Sequence, residues 1–187
     1  LGIVVLPAMY YGKPTVGWNY QFEGEDVFGL VEEYGITNYW IPPTALRMMM
    51  QNEEAAEAHD LSSVRTITSG GESLGQTIVD WVKDTFAGAD IHEGYGQTEA
   101  NMLVGGCMPL DAHRPGKIGK AAAGQEVRIL DPDTAEPTVE PGEVGEIGVR
   151  YEGNPVCFKQ YWNKPEKTNR KVRNGWLLTE DLGTVDE

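Results

Sequence analysis

Ala89-Asp90-Ile91-His92-Glu93-Gly94-Tyr95-Gly96-Gln97-Thr98-Glu99 is the stretch on which the reading of this chain turns. Residues 89–93 have the look of a short strand. Gly94 and Gly96 flank Tyr95, so the backbone can bend around the ring and come close to a ligand. Tyr95 offers a planar face. Thr98 offers a hydroxyl to a phosphate, and Glu99 a hard oxygen of the kind Mg²⁺ takes. The same residues also suit a plain glycine turn, with Thr98 capping a following helix and Glu99 serving its dipole. Taken alone, the stretch leaves both open.

Upstream, strand and helix signals alternate. The acidic run Glu23 to Asp26 precedes the apolar stripe Val27-Phe28-Gly29-Leu30-Val31, and Tyr34-Gly35 ends that helix. Ile36 to Ile41 is β-branched and aromatic and stops at Pro42-Pro43, as a buried strand does. Thr44 can cap the helix that carries Ala45, Leu46 and Met48-Met49-Met50. Ser62 to Thr68 forms another short strand, and Ile78, Val79, Val82 and Phe86 mark the apolar face of a helix over 76–86. This alternation predicts an α/β fold with a mainly parallel sheet. Leu1 to Tyr11 is apolar but short and contains Pro7, which suits a buried strand or core segment better than a leader peptide.

Near Asp111 the character changes. Glycines recur, Gln125 to Leu130 and Glu146 to Arg150 alternate apolar and polar, and Asp131-Pro132-Asp133 is turn chemistry. A small antiparallel, barrel-like β subdomain is expected over 111–187, following an α/β subdomain over 1–110, with the boundary around 105–115.

Two further segments carry chemistry. Thr68-Ser69-Gly70-Gly71-Glu72-Ser73-Leu74 ends a strand, where open α/β sheets bind ligands; it equally fits a strand-to-helix turn capped by Ser73. Gly175-Trp176-Leu177-Leu178-Thr179-Glu180-Asp181 ends an apolar strand in an acidic pair. Asp181, presented at a loop, can accept two hydrogen bonds from ribose hydroxyls; a surface hairpin with solvated acids is the plainer alternative.

The bulk composition narrows the class. The chain has 187 residues and a formal net charge of −14, with thinly spread basic residues, so it lacks the basic face a nucleic-acid partner needs. That charge suits a high-salt interior or an ordinary acidic protein. No apolar run is long enough to span a membrane. Cys107 and Cys157 make neither a disulfide framework nor a metal cluster and fit reduced thiols of a cytoplasmic protein. His59, His92 and His113 lack metal-ligand spacing.

Together the motifs are specific. Gly70-Gly71-Glu72-Ser73-Leu74, Tyr95-Gly96-Gln97-Thr98-Glu99, Pro141-Gly142-Glu143-Val144-Gly145-Glu146-Ile147-Gly148-Val149-Arg150 and Gly175 to Asp181 come in the order of the adenylate-forming superfamily, which this chain resembles over roughly residues 22–187. Arg114-Pro115-Gly116 and the run from Asn154 through Tyr161-Trp162 to Thr168 resemble its acetyl- and medium-chain acyl-CoA synthetase branch. The resemblance implies an ATP-dependent, AMP-forming acid:CoA ligase. Such an enzyme forms an acyl-adenylate and pyrophosphate, and CoA then displaces AMP. Its partners are a small carboxylic acid and CoA, with ATP/AMP and Mg²⁺.

By motif, Gly71, Glu72 and Ser73 would form the adenine-side wall. Glu93, Gly94 and Tyr95 would continue it through the signature's Gly96 and Gln97. Thr98 would contact the α-phosphate, Glu99 would hold Mg²⁺, and Asp181 would take the ribose. Gly96 and Trp40 would border the acyl pocket, with core packing as the alternative for Trp40. The family has Thr-Gly-Asp where this chain has Thr179-Glu180-Asp181, a change that matters if the glycine's φ is positive. The family's upstream phosphate loop and its lysine-bearing C-terminal domain have no match within 1–187. The chain therefore reads as a fragment, not competent alone. Loading of a carrier-protein thiol and a noncatalytic nucleotide-binding or interaction domain are the alternative functions.

Overall fold

The computed structural model describes residues 4–106, 114, 116–137 and 140–186. The expected boundary at 105–115 falls largely outside them, as do Cys107, His113 and Pro115. In chain order the elements are α1 (Val5–Tyr10), α2 (Gly24–Tyr34), β1 (Asn38–Trp40), α3 (Pro43–Met50), α4 (Glu53–Glu57), β2 (Thr66–Gly70), α5 (Gln76–Thr85), β3 (Asp90–Gln97), β4 (Ala100–Gly105), β5 (Lys120–Ala121), β6 (Val127–Leu130), β7 (Gly145–Arg150), α6 (Pro165–Lys171), β8 (Val172–Arg173) and β9 (Trp176–Gly183). The chain divides into two compact units, residues 1–95 with 105–120, and residues 96–104 with 121–187.

The first unit is the expected α/β arrangement. β1 pairs with β2 and β2 with β3, both parallel, with Ile67 against Ile91 and Gly70 against Gly94. α5 lies between β2 and β3 in sequence and buries Ile78, Val79 and Val82, while α2 buries Phe28 and Val31. These side chains join Leu46, Met49, Ile67, Phe86 and Ile91 in one apolar core. Phe86 is fully buried, with the rings of Phe28, Tyr39 and Trp81 about it at 6.4, 6.0 and 5.7 Å between centroids. Gly35 closes α2 in the left-handed conformation that favours glycine at a helix end.

Several local expectations are corrected. Thr44 is not a cap: α3 begins at Pro43 with Pro42 as its N-cap, so proline's preset φ starts the helix, and the Thr44 hydroxyl instead reaches Glu72. Ser73 does not cap α5, whose N-cap is Gly75. Residues 5–10 form a short helix with no buried residue rather than a core strand; Pro7 falls in its first turn, where its missing N–H costs nothing. Trp40, at the end of β1, is 40% exposed and so is not a core side chain.

The second unit contains the antiparallel sheet expected from the alternating runs, with strand order β6-β7-β9-β8, curled as a half-barrel. Leu130, Ala135, Trp176 and Leu178 form a small core there. The turn after β6 is built by Asp131, whose Oδ1 accepts the amides of Asp133 and Thr134 and the Thr134 hydroxyl.

Candidate functional site

The decisive stretch is more strand than loop. β3 runs on through Gln97, Thr98 and Glu99 make a turn, and β4 follows as the neighbouring strand. No helix follows Thr98, so the capped-helix alternative is overturned. The strand extends because Gly96 has no Cβ: a Cβ there would stand 2.6 Å from the Met102 amide nitrogen, so only glycine lets the hairpin close.

In the first unit, the loop after β2 is fixed by close backbone approach. A Cβ on Gly70 would lie 2.3 Å from the Gly94 carbonyl oxygen, and Gly71 has φ +93°. Glycine is required at the first position by space and favoured at the second by conformation. Glu93 is buried and its Oε1 accepts the Leu74 amide at 3.2 Å, so the Gly-Gly-Glu-Ser loop is tied back onto β3. Glu72 is exposed at the loop's tip and accepts from the Thr44 hydroxyl (2.5 Å) and Arg47 Nη1 (3.1 Å). The Thr44 hydrogen bond first, and Arg47 second, hold its carboxyl below the usual carboxylate range. Tyr95 is half-buried on β3, and Ser73 is exposed.

In the second unit, Thr98 is exposed at the hairpin turn and Glu99 is half-buried beside it. Glu99 is held from the 157–161 segment. Its Oε1 accepts the Tyr161 hydroxyl at 2.5 Å, its carbonyl accepts the Phe158 amide at 2.7 Å, and Ala100 bridges to Cys157. The tyrosine hydrogen bond is the main reason the Glu99 carboxyl sits below its ordinary value, with Lys171 and Lys167 adding smaller charge effects. Reciprocally, burial and then Glu99 push the Tyr161 phenol up to about 12. Lys167 Nζ lies over the Tyr161 ring at 4.4 Å.

Asp181 is not at a loop after a strand; it lies within β9. Between the pairs Gly148–Leu178 and Glu146–Leu182, Thr179, Glu180 and Asp181 stand opposite the single residue Ile147. Such a bulge bends a strand and re-aims its side chains. Glu180 takes φ +67°, the left-handed region where the resembling family carries glycine. For an L-residue that conformation costs ~1–2 kcal/mol. The Asp181 amide donates to Thr179 Oγ1 (3.3 Å), Thr179 Oγ1 donates to the Ile147 carbonyl (2.7 Å), and Gln97 Nε2 donates to the Thr179 carbonyl (3.0 Å). The signature's Gln97 therefore anchors the strand that bears Asp181.

Sequence reasoning missed two residues in this unit. Tyr161 figured only as part of a resembling run, and Lys171 not at all. Pro165 at a helix start with Glu166 behind it and Arg170-Lys171 at the end is a helix signature that would have found α6; nothing local says that its last lysine is buried. Cys157 is half-buried, and burial pushes its thiol up, which suits an unreactive thiol.

Glycine-rich loops after parallel strands, followed in the chain by an antiparallel half-barrel, are the architecture of adenylate-forming enzymes. Residues 2–162 match the AMP-binding enzyme family, and the chain belongs to that family. It is 33% identical over 178 residues to the "Uncharacterized acyl--CoA ligase YtcI" of Bacillus subtilis (strain 168), covering 94% of this chain and 32% of that protein. It is also 33% identical over 175 residues to "4-coumarate--CoA ligase 5" of Oryza sativa subsp. japonica, covering 89% of this chain and 31% of that one. The crystal structure of the anthranilate CoA ligase AuaEII in complex with anthranoyl-AMP superposes with a TM-score of 0.85 at 27% identity, over 97% of this chain and 34% of that one. The chain thus spans about a third of the length of these relatives.

Proposed function

We propose that this chain carries AMP-side residues of an ATP-dependent acid:CoA ligase, and that by itself it does not complete adenylation. The observation that carries the reading is the Thr98–Glu99 turn: an exposed hydroxyl next to a carboxylate kept ionised by a neutral tyrosine. A carboxylate of that kind fits Mg²⁺, which typically takes one or two protein carboxylates and completes its shell with phosphate and water. Bound there, the ion would neutralise charge on the phosphates during transfer.

The chain's own residues bind and orient. Tyr95 offers its ring face to adenine, and the Gly71-Glu72-Ser73 loop offers backbone and a carboxylate. Thr98 donates to the α-phosphate, and Asp181 accepts from the ribose hydroxyls. Positioning and electrostatics of this kind supply most of the catalysis when charge is redistributed over phosphate oxygens. Gly96 and Trp40 are assigned to the acyl side; the exposure of Trp40 is compatible with a wall that meets a ligand. CoA is the thiol acceptor, in keeping with relatives that are named as CoA ligases.

Calorimetry with AMP and with a nonhydrolysable acyl-adenylate analogue tests the binding half. Binding that is lost in Asp181→Ala and weakened in Thr98→Val is expected. Equal binding by all three proteins would refute the site. Mixing the chain with ATP, Mg²⁺ and short carboxylic acids tests the second half, and pyrophosphate release would show that the chain is competent alone.

A further inference from the structure

Lys171, the last residue of α6, is 5% exposed. A buried ammonium needs partners, because its desolvation is offset only by charge pairing and hydrogen bonds. Both partners come from one place. Lys171 Nζ donates to the Thr179 carbonyl at 3.3 Å and stands 3.3 Å from Glu180 Oε2. These are the first two residues of the three-residue excursion that β9 makes opposite Ile147. Glu180 sits there in a left-handed conformation that its side chain disfavours, and its amide donates to Glu146 Oε1 at 2.7 Å. The Thr179 carbonyl receives Gln97 Nε2 from one residue and Lys171 Nζ from another.

A strand does not adopt a positive φ at a glutamate unless something holds it there. The buried lysine does so by gripping the carbonyl before the strained residue and the carboxylate of that residue together. We infer that Lys171 is a positioning residue: its ion pair with Glu180 holds the Thr179–Asp181 bulge in the shape that presents Asp181, doing with a charge clamp what a glycine at 180 would do by conformational freedom. The second part, presentation of Asp181 to a nucleotide, rests on the function proposed above.

The test is a cycle of Lys171→Met, Glu180→Gly and the double variant. It reads amide hydrogen exchange at Glu180 and Asp181, and AMP affinity by calorimetry. Lys171→Met alone is expected to speed exchange at both amides about tenfold and to weaken AMP binding by a similar factor. Adding Glu180→Gly should restore protection and affinity, because glycine needs no clamp. Unchanged exchange in Lys171→Met, or no recovery in the double variant, overturns the clamp. If Lys171→Met does not fold, folding of the double variant supports the clamp and its failure to fold overturns it. Wild-type protein that ignores AMP, or binds it as well after Asp181→Ala, refutes the functional reading while the exchange data still decide the clamp. AMP binding that is lost in Asp181→Ala but untouched in Lys171→Met overturns the positioning role.

Discussion

The Tyr161 hydroxyl donates to Glu99 Oε1 at 2.5 Å across 62 residues of sequence. The pair lies in one unit and fixes the turn at the end of the signature hairpin. A neutral phenol donating to a carboxylate stabilises the charged form of the acid and the neutral form of the phenol. The two shifts therefore have one cause in common, and each is a reporter on the other.

Ultraviolet titration of the tyrosines checks this. Tyr161 should ionise at about 12, later than a tyrosine in water, and Tyr161→Phe identifies its step. In Glu99→Gln that step should move down only partway, because burial is the larger cause and remains. A Tyr161 step unmoved by Glu99→Gln would show that the two groups are not bonded in solution. Tyr161→Phe should also cost about 1 kcal/mol in urea denaturation, the worth of a partly exposed hydrogen bond to a charge.

Gly70→Ala should be poorly tolerated. The added Cβ meets the Gly94 carbonyl oxygen, a backbone atom that no side-chain rotation can move aside. Prising the two strands apart there should cost about 1–3 kcal/mol, the range for overpacking. Gly71→Ala differs in kind, since its Cβ meets nothing and only the positive φ is strained. Comparing the two melting temperatures separates space from conformation, and equal losses would contradict that division.

Phe86→Ala should remove about 3–5 kcal/mol, because the ring is fully buried among three other aromatic side chains and its loss leaves a cavity. A cost under about 1 kcal/mol would mean that the core collapses to fill the space.

Acid should weaken the tie between α2 and the segment after α4. Glu32 accepts His59 Nδ1 at 2.7 Å and the Asp60 amide at 3.1 Å, and the His59 hydrogen bond is the main reason its carboxyl lies below the ordinary value. A depressed folded-state pKa contributes stability that is present above the unfolded value and lost as pH falls through the folded one. Glu32→Gln should therefore lower the urea midpoint at neutral pH, and the gap to wild type should close on acidification below the usual carboxylate range. A gap that is constant with pH would assign the effect to packing instead.

Much of the molecule was legible residue by residue. The apolar period of Ile78, Val79 and Val82 placed α5, Gly35 ended α2, and the alternating run at 146–150 placed β7. These are local properties, set by side-chain spacing and backbone freedom within a few residues. Local reading failed where two preferences competed. Thr44 has a capping hydroxyl, but proline one residue earlier already starts α3, which frees Thr44 for Glu72. The strand was expected to end at Glu93, with the glycines bending the backbone around Tyr95 or making a turn capped by Thr98, yet β3 runs on to Gln97 and Gly96 is in the strand for want of room against Met102.

Asp181 shows the division most clearly. The order of motifs along the chain was enough to place it in the AMP-binding family and to mark Glu180 as a departure. Its setting was decided only in three dimensions. The bulge exists because Thr179, Glu180 and Asp181 face a single residue of β7, and it is held by Gln97 from 82 residues upstream and by a lysine whose burial no local pattern reveals. Sequence spacing encodes which faces turn inward. It does not encode which distant carbonyl a buried ammonium or amide will find, since that choice is made when the strands pair and water is driven from between them.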